Sequence, residues 1–223
     1  HGHPQTHVMW HKMAPRLAEF FTLIVPDLRG YGDSSKPKSD ESHTPYSKRA
    51  MALDQVEMMM ELGYSSFFVA GHDRGARVTH RLLLDHPKRV KKAAVLDIAP
   101  TLTMYRETNE RFAKAYYHWF FLIQPEPMPE QLIGSNPDFY LKYKLSNASS
   151  GMKPFAREAL EEYLRCFRNP ETLHAICEDY RASNTIDLDH DEEDLNKMIQ
   201  CPLLVLWGED GVVEACFDVL TEW

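Results

Sequence analysis

Five residues, GHDRG at positions 71–75, constrain this chain more than any others. They follow the apolar run FFVA (67–70) and open a helical pattern, 74–84, that stops at Asp85, His86 and Pro87. A strand turns this sharply into a helix only where the outer residues are small, and the central side chain is then held strained and exposed. That central residue is Asp73. An aspartate at the start of a helix is also an ordinary N-cap, so the pentapeptide alone leaves both readings open.

Three other runs, 22–26, 93–98 and 203–207, are short, apolar and β-rich, each ending in Gly, Asp or Pro. Buried parallel strands read this way. Helical spacing fills 48–62, including Met58, Met59 and Met60. Alternating strand and helix predicts an α/β fold with a doubly wound, mostly parallel sheet and right-handed crossovers. From 102 to 187 strand signals vanish, and aromatic-rich helical segments are punctuated by Pro125, Pro127, Pro129, Pro137, Pro154 and Pro170. An all-helical insertion between sheet strands predicts a lid that shapes a pocket and excludes water. The expected division is a first core segment, 1–101, the lid, 102–187, and a second core segment, 188–223.

Composition narrows the partners. A net charge of -8, a pI of about 5.8 and basic residues scattered among acids argue against nucleic acid and for small-molecule chemistry. Cys166, Cys177, Cys201 and Cys216 form neither a CxxC pair nor a dense framework, the pattern of reduced thiols in a cytoplasm. No apolar run is long enough to span a bilayer, so a soluble, cytoplasmic chain with no membrane partner is expected.

Three further segments break the tie at Asp73. HGHP (1–4) resembles the oxyanion loop of the α/β-hydrolase superfamily, DLRGYGDS (27–34) resembles the loop after its next strand, and DIAP (97–100) follows in the family's order. The chain thus resembles an α/β-hydrolase over nearly its whole length, which implies a nucleophile elbow at Asp73. A serine attacking an alkyl carbon would leave an ether that water cannot readily cleave. An aspartate leaves an ester whose own carbonyl water can attack. An aspartate elbow therefore points to halide displacement or epoxide opening.

Within that superfamily the chain resembles the haloacetate dehalogenases, particularly the fluoroacetate-cleaving type. Arg74 follows the nucleophile, and Arg77 lies one helical turn further on. Two guanidinium groups there would grip an anionic substrate through charge-assisted, bidentate bonds. Haloalkane dehalogenases typically carry tryptophan where this chain has Arg74. The resemblance implies that His118 and Trp119 in YYHWFF, with Tyr180 in EDYRAS, cradle the leaving halide. It makes Asp97 the acid that orients the catalytic histidine, with Asp210, one residue out of register after 203–207, as the alternative. The N–H groups of His3 and Arg74 would form the oxyanion hole, although His3 stands where the family favours an apolar residue. Glycolate would be the product, no metal or organic cofactor is implied, and dimers are common in the family.

The family's base is a histidine beyond the acid, near the C-terminus. The last of the eleven histidines here is His190. The expectation is a partial sequence, cut at both ends, in which Asp73 can be alkylated but the ester is not hydrolysed. Epoxide hydrolase is the alternative, through lid tyrosines such as Tyr116, Tyr117, Tyr163 and Tyr180; a non-catalytic anion-binding fragment is another. Three patterns carry little. His1, His3, His7 and His11 lack a carboxylate or cysteine set to complete a metal site. Asp187, Asp189 and Asp191 begin like a calcium loop, but Glu192 and Met198 stand at its sixth and twelfth positions, leaving a solvated loop that leads into a helix. Asn147, Ala148 and Ser149 match a glycosylation sequon, which means little without secretion.

Overall fold

Among the described residues, 1–146 and 151–223 of a computed structural model, three strands form one parallel sheet in the order β1 (Phe67–His72), β2 (Val90–Leu96), β3 (Leu203–Leu206). The sequon at Asn147 lies outside these residues. Register pairs Ala70 with Ala94 and Ala94 with Leu204, so all three strands end together. Before the sheet come α1 (Ala14–Leu17) and α2 (Lys48–Glu61); α3 (Arg74–Asp85) joins β1 to β2. The Ser47 hydroxyl caps α2 by accepting from the Ala50 N–H, and Gly63, at φ 87°, lets the chain leave it in a left-handed turn.

Between β2 and β3 the described residues are helical: α4 (Thr101–Arg106), α5 (Glu110–Ala115), α6 (Tyr117–Phe121), α7 (Met128–Gly134), α8 (Pro137–Ser146), α9 (Arg157–Phe167), α10 (Pro170–Ser183) and α11 (Ile186–Glu193). Two of the prolines that interrupt the sequence open helices: Pro137 begins α8, and Pro170 begins α10 behind its cap, Asn169. An N1 proline lacks only an N–H that would be unbonded there anyway. Helix α10 is buried along most of its length and runs through the main core with Trp119, Tyr163 and Phe167. The chain ends with α12 (Val212–Cys216) and α13 (Val219–Glu222).

Two expectations fail. Residues 22–26 carry no strand: β-rich composition supplies only a preference, and a ladder needs a neighbour, which this segment does not find. The strands are also not buried on both faces. Helix α3 covers one face, through Ala76 against Val95 and Ile98, while Phe68, Leu204 and Leu206 on the other are about half exposed.

The elbow depends on absent side chains. A Cβ on Gly71 would lie 2.3 Å from the Gly75 carbonyl oxygen, and one on Gly75 would lie 2.6 Å from the His1 carbonyl oxygen. Both obstacles are backbone. Gly71→Ala or Gly75→Ala should therefore cost on the order of 3 kcal/mol or more, or prevent folding. Gly134→Ala, whose nearest neighbour would be 3.9 Å away, should be neutral or stabilising by up to about 1 kcal/mol. Urea unfolding of the three variants checks the contrast.

Candidate active site

The two aspartates singled out by sequence stand side by side where the sheet ends. Asp73 directly follows β1, and its N–H donates to the Leu96 carbonyl at 3.2 Å; Asp97 directly follows β2, and its N–H donates to the Leu206 carbonyl at 2.7 Å. Both have left-handed backbone, at φ 48° and 57°. Non-glycine residues in this region are strained and cluster at functional sites. The carboxyl ends of parallel strands are also where open α/β sheets bind ligands.

The HGHP loop is pressed onto Asp73. The His1 carbonyl accepts from the Gly75 N–H at 2.7 Å, and a Cβ on Gly2 would lie 2.4 Å from Asp73 Cβ and Oδ1. The His3 N–H donates to Asp73 Oδ1 at 2.8 Å. The DLRGYGDS loop locks this arrangement: the Leu28 N–H donates to His1 Nε2 at 2.9 Å, and Asp27 accepts from the backbone and ring of His7. Burial pushes the Asp73 pKa up, but His72, Arg74, Arg77 and the His3 amide together leave it below the usual carboxylate range. The His72 pKa is itself pushed down by burial, so near neutral pH the arginines and the amide carry the effect. Asp73 is a partly buried anion with one oxygen hydrogen-bonded.

Neither arginine is on the surface. The Arg74 Nε and Nη2 both donate to the Asp179 carboxylate at 2.7 Å, and Nη2 also reaches the Asp179 carbonyl at 2.9 Å and Ser183 Oγ at 2.6 Å. Its Nε–Nη2 edge is therefore occupied, and Nη1 is the unpartnered nitrogen. Arg77 donates through Nη1 to the Ala99 carbonyl and Thr101 Oγ1 and through Nη2 to Met104 Sδ, none of them an acid, and its Nε is unpartnered. Burial, then the nearby Arg74, push the Arg77 pKa below the usual arginine range.

His118, Trp119 and Tyr180 come together. The His118 and Tyr180 rings are 5.8 Å apart and those of Trp119 and Tyr180 6.4 Å. All three are buried, and His118 Nδ1, Trp119 Nε1 and the Tyr180 hydroxyl have no partner among the described residues. Burial and nearby cations hold the His118 pKa well below the usual histidine range, and burial and Asp73 hold that of Tyr180 well above the usual phenol range. All three are neutral hydrogen-bonding groups. The Arg74 guanidinium lies 4.1 Å over the Tyr180 ring and that of Arg77 4.5 Å over Trp119, and a cation on a ring face draws electron density from its O–H or N–H. The His3 ring fits between His118 and Tyr180, 5.9 and 5.5 Å away; burial, then Lys144, push its pKa down to about 3.

Asp210 is exposed and makes no side-chain contact with this group, whereas Asp97 Oδ1 accepts from the Gly208 N–H at 3.4 Å. No histidine bonds Asp97 among the described residues. Sequence missed Asp179 and Lys48, which hold Arg74, and Tyr105, whose unpartnered hydroxyl belongs to a ring 4.9 Å from Trp119. It also missed Lys144 on α8, whose ammonium lies 5.6 Å over the Tyr116 ring. Only EDYR (178–181), with two acids beside Tyr180, carried a readable signal. The weak patterns resolve differently: 187–191 is helix, not loop, and Asp187 is buried against Lys48. An open cleft of about 520 Å³ is lined by His43, His174, Glu178 and Arg181 among others, and not by Asp73. Among the described residues no cluster of three or more metal-ligating side chains occurs, and no helix is long and apolar enough to cross a membrane.

The model of the alpha/beta hydrolase fold matches residues 1–214. The chain belongs to the α/β-hydrolase family. This α/β-hydrolase is 47% identical to a fluoroacetate dehalogenase of Burkholderia sp, over 100% of the chain and 74% of that protein. It is 34% identical to a soluble epoxide hydrolase of Corynebacterium sp. (strain C12), over 93% of the chain and 71% of the relative. A crystal structure from Nostoc sp PCC 7120, described as that of an alpha/beta hydrolase, superposes with a TM-score of 0.95 at 61% identity, covering 100% of this chain and 77% of that one. The parallel sheet with its many helices is thus that of the alpha/beta hydrolase fold.

The Lys144 ammonium tests the electrostatics of the hydrolase site. Burial pushes its pKa down to about 8, while Asp73 pulls it up. Asp73→Asn removes the upward pull, so the midpoint should fall further. Carbon-13 NMR of the lysine Cε resonances across pH reads both midpoints. An unchanged or higher Lys144 midpoint in Asp73→Asn would show that the two charges do not face each other.

Proposed function

We propose that this α/β-hydrolase is a dehalogenase that displaces halide from a haloacetate. The observation that carries the reading is the set of buried, unpartnered donors around an ionised Asp73: His118 Nδ1, Trp119 Nε1, the Tyr180 hydroxyl, Arg74 Nη1 and Arg77 Nε. Unsatisfied buried donors cost about 1–3 kcal/mol each, so five near one anion indicate a site built for acceptors. The similarity to a fluoroacetate dehalogenase supports it.

Arg77 and the free Arg74 Nη1 hold the substrate carboxylate. Asp73 Oδ2 attacks the α-carbon and forms a C–O bond as the carbon–halogen bond breaks; the halide leaves with the bonding pair and accepts from His118, Trp119 and Tyr180. Oδ1 stays on the His3 N–H, with the Arg74 N–H completing the oxyanion hole. Hydrolysis then requires water to add to the Asp73 carbonyl carbon while a base takes one of its protons; charge collects on Oδ1, the C–O bond to the substrate breaks, and glycolate departs as its oxygen receives that proton. Asp97 is the acid that orients the base for this second step, with the helices 102–187 acting as the lid. Among the described residues no histidine bonds Asp97, and where no base takes a proton from water the ester on Asp73 persists.

Incubation with fluoroacetate or chloroacetate, followed by intact mass spectrometry and peptide mapping, should find one carboxymethyl ester on Asp73 and one equivalent of halide released. Asp73→Asn should show neither. A folded chain that both haloacetates leave unmodified, but styrene oxide alkylates at Asp73, would replace the reading with epoxide opening, for which Tyr180 and Tyr105 offer hydroxyl donors. Because the Asp73 pKa lies below the usual carboxylate range, the carboxylate form dominates above that range. Alkylation should hold its rate as pH drops from neutral and slow only as Asp73 takes up a proton. Arg77→Met removes the site guanidinium that bonds no carboxylate and should raise the half-saturating haloacetate concentration about ten-fold or more, since a charge-assisted hydrogen bond contributes about 1.5–3 kcal/mol.

A further inference from the structure

Arg74 is held by a larger buried network. Asp179 Oδ1 takes Arg74 Nη2 and the Lys48 ammonium, and Oδ2 takes Arg74 Nε and the Tyr31 hydroxyl, the last at 2.7 Å. Lys48 also pairs with Asp187 Oδ2 at 3.2 Å, and the Lys48 N–H donates to Asp187 Oδ1 at 2.7 Å. Arg74 and Asp179 are fully buried, and Lys48 and Asp187 nearly so. The pieces come from separate parts of the chain: Arg74 opens the elbow helix α3, Lys48 begins α2, Asp179 lies on α10 and Asp187 on α11. Two cations and two carboxylates balance.

This closed set has two consequences at Asp73. The Nε–Nη2 edge of a planar guanidinium can meet a carboxylate bidentately, and here Asp179 holds it, while the Tyr180 ring from the same helix turn lies against the guanidinium. Rotation about the end of the Arg74 side chain is blocked on edge and face, which fixes the direction of Nη1. Lys48 supplies Asp179 with a second counter-ion. Without Lys48, Asp179 would offset the Arg74 charge alone, and Nη1 would present little net attraction to an anion.

We infer that Asp179 is the positioning residue that limits Arg74 to a one-nitrogen contact with the substrate carboxylate, and that Lys48 sustains the pull of Arg74 on that anion by sharing the charge of Asp179. The inference rests on the dehalogenase reading for its substrate, but its structural content concerns any small carboxylate at the site. Neither Asp179 nor Lys48 touches the reacting atoms.

Acetate, which cannot alkylate Asp73, is the probe. In nitrogen-15 NMR of the full chain, acetate should shift the Arg74 Nη1 signal and leave its Nε–H signal in place. Movement of Nε–H as large as that of Nη1 would overturn the inference in the unmutated protein. Asp179→Asn should let the Arg74 Nη signals average by rotation, and Lys48→Met should keep them resolved. Lys48→Met should weaken acetate binding by about ten-fold, the size expected for neutralising one charge-assisted contact, whereas Asp179→Asn, which frees the Nε–Nη2 edge and leaves the Arg74 charge unopposed, should tighten it. In haloacetate alkylation Lys48→Met should raise the half-saturating concentration more than it lowers the maximal rate, a split that general loosening would not produce. Acetate affinity unchanged in either folded variant would sink the idea. If instead acetate binds as expected but haloacetates leave the unmutated chain unmodified, the dehalogenase reading fails while the role of Asp179 stands.

Discussion

Asp73 occupies a backbone conformation, φ 48° and ψ -114°, that an L-residue adopts at a cost of about 1–3 kcal/mol, and contacts on every side hold it there. Sheet bonding continues past the end of β1 through the Asp73 N–H. Helix α3 begins at the next residue. The His1–Gly75 bond and the bare Cα of Gly2 bring the first loop against the carboxylate. Three sequence-distant glycines thus serve one purpose, the removal of Cβ atoms where backbone meets backbone or meets the Asp73 side chain. The His3 N–H reaches Asp73 Oδ1 only because those contacts close.

A carboxylate held there is partly shielded from water, and that shielding pushes its pKa up. Two arginines offset that, yet they are not equivalent. Arg74 belongs to a charge-balanced set with Asp179, Lys48 and Asp187, so most of its field is answered locally. Arg77 is bonded only to a carbonyl, a hydroxyl and a thioether, and keeps an uncompensated charge beside Asp73. Breaking a buried pair from one side typically costs about 3–5 kcal/mol, which ties α2, α10 and α11 to the elbow helix. Helices α10 and α11 are therefore anchored beside Asp73. The site keeps its shape because the residues that define its charge also hold its walls.

Much of this is legible in the order of residues along the chain. GHDRG between a strand and a helix locates Asp73, and the order of HGHP, DLRGYGDS and DIAP locates its neighbours; small residues and turn aspartates must sit at fixed offsets for such loops to close, so the chemistry leaves a linear trace. The role of Asp179 leaves none, because a salt bridge across 105 residues has no sequence period. Arg74 reads as a free guanidinium for the same reason: sequence shows a donor but not what already occupies it. Residues 22–26 have the composition of a strand but lack the neighbour that would make them one. Asp187 to Asp191 read as solvated because acids usually are, yet the Lys48 ammonium offsets the burial of Asp187.

The placement of full charge and neutral donors bears on how a haloacetate would lie. Its two ends compete: the carboxylate carries charge from the outset, whereas the halogen gains charge only as the carbon–halogen bond breaks. A cation where the halogen belongs would bind the carboxylate there instead and point the α-carbon away from Asp73. On the proposed reading, guanidinium nitrogens take the carboxylate, and the halogen faces an imidazole, an indole N–H and a phenol, none of them charged. These donors attract the ground-state halogen weakly and the departing halide strongly, which is the difference that lowers a barrier. The guanidiniums stacked on Trp119 and Tyr180 strengthen those donors without placing charge among them. Orientation and leaving-group stabilisation then arise from one arrangement, with the cations behind the rings and their polar edges toward the halogen.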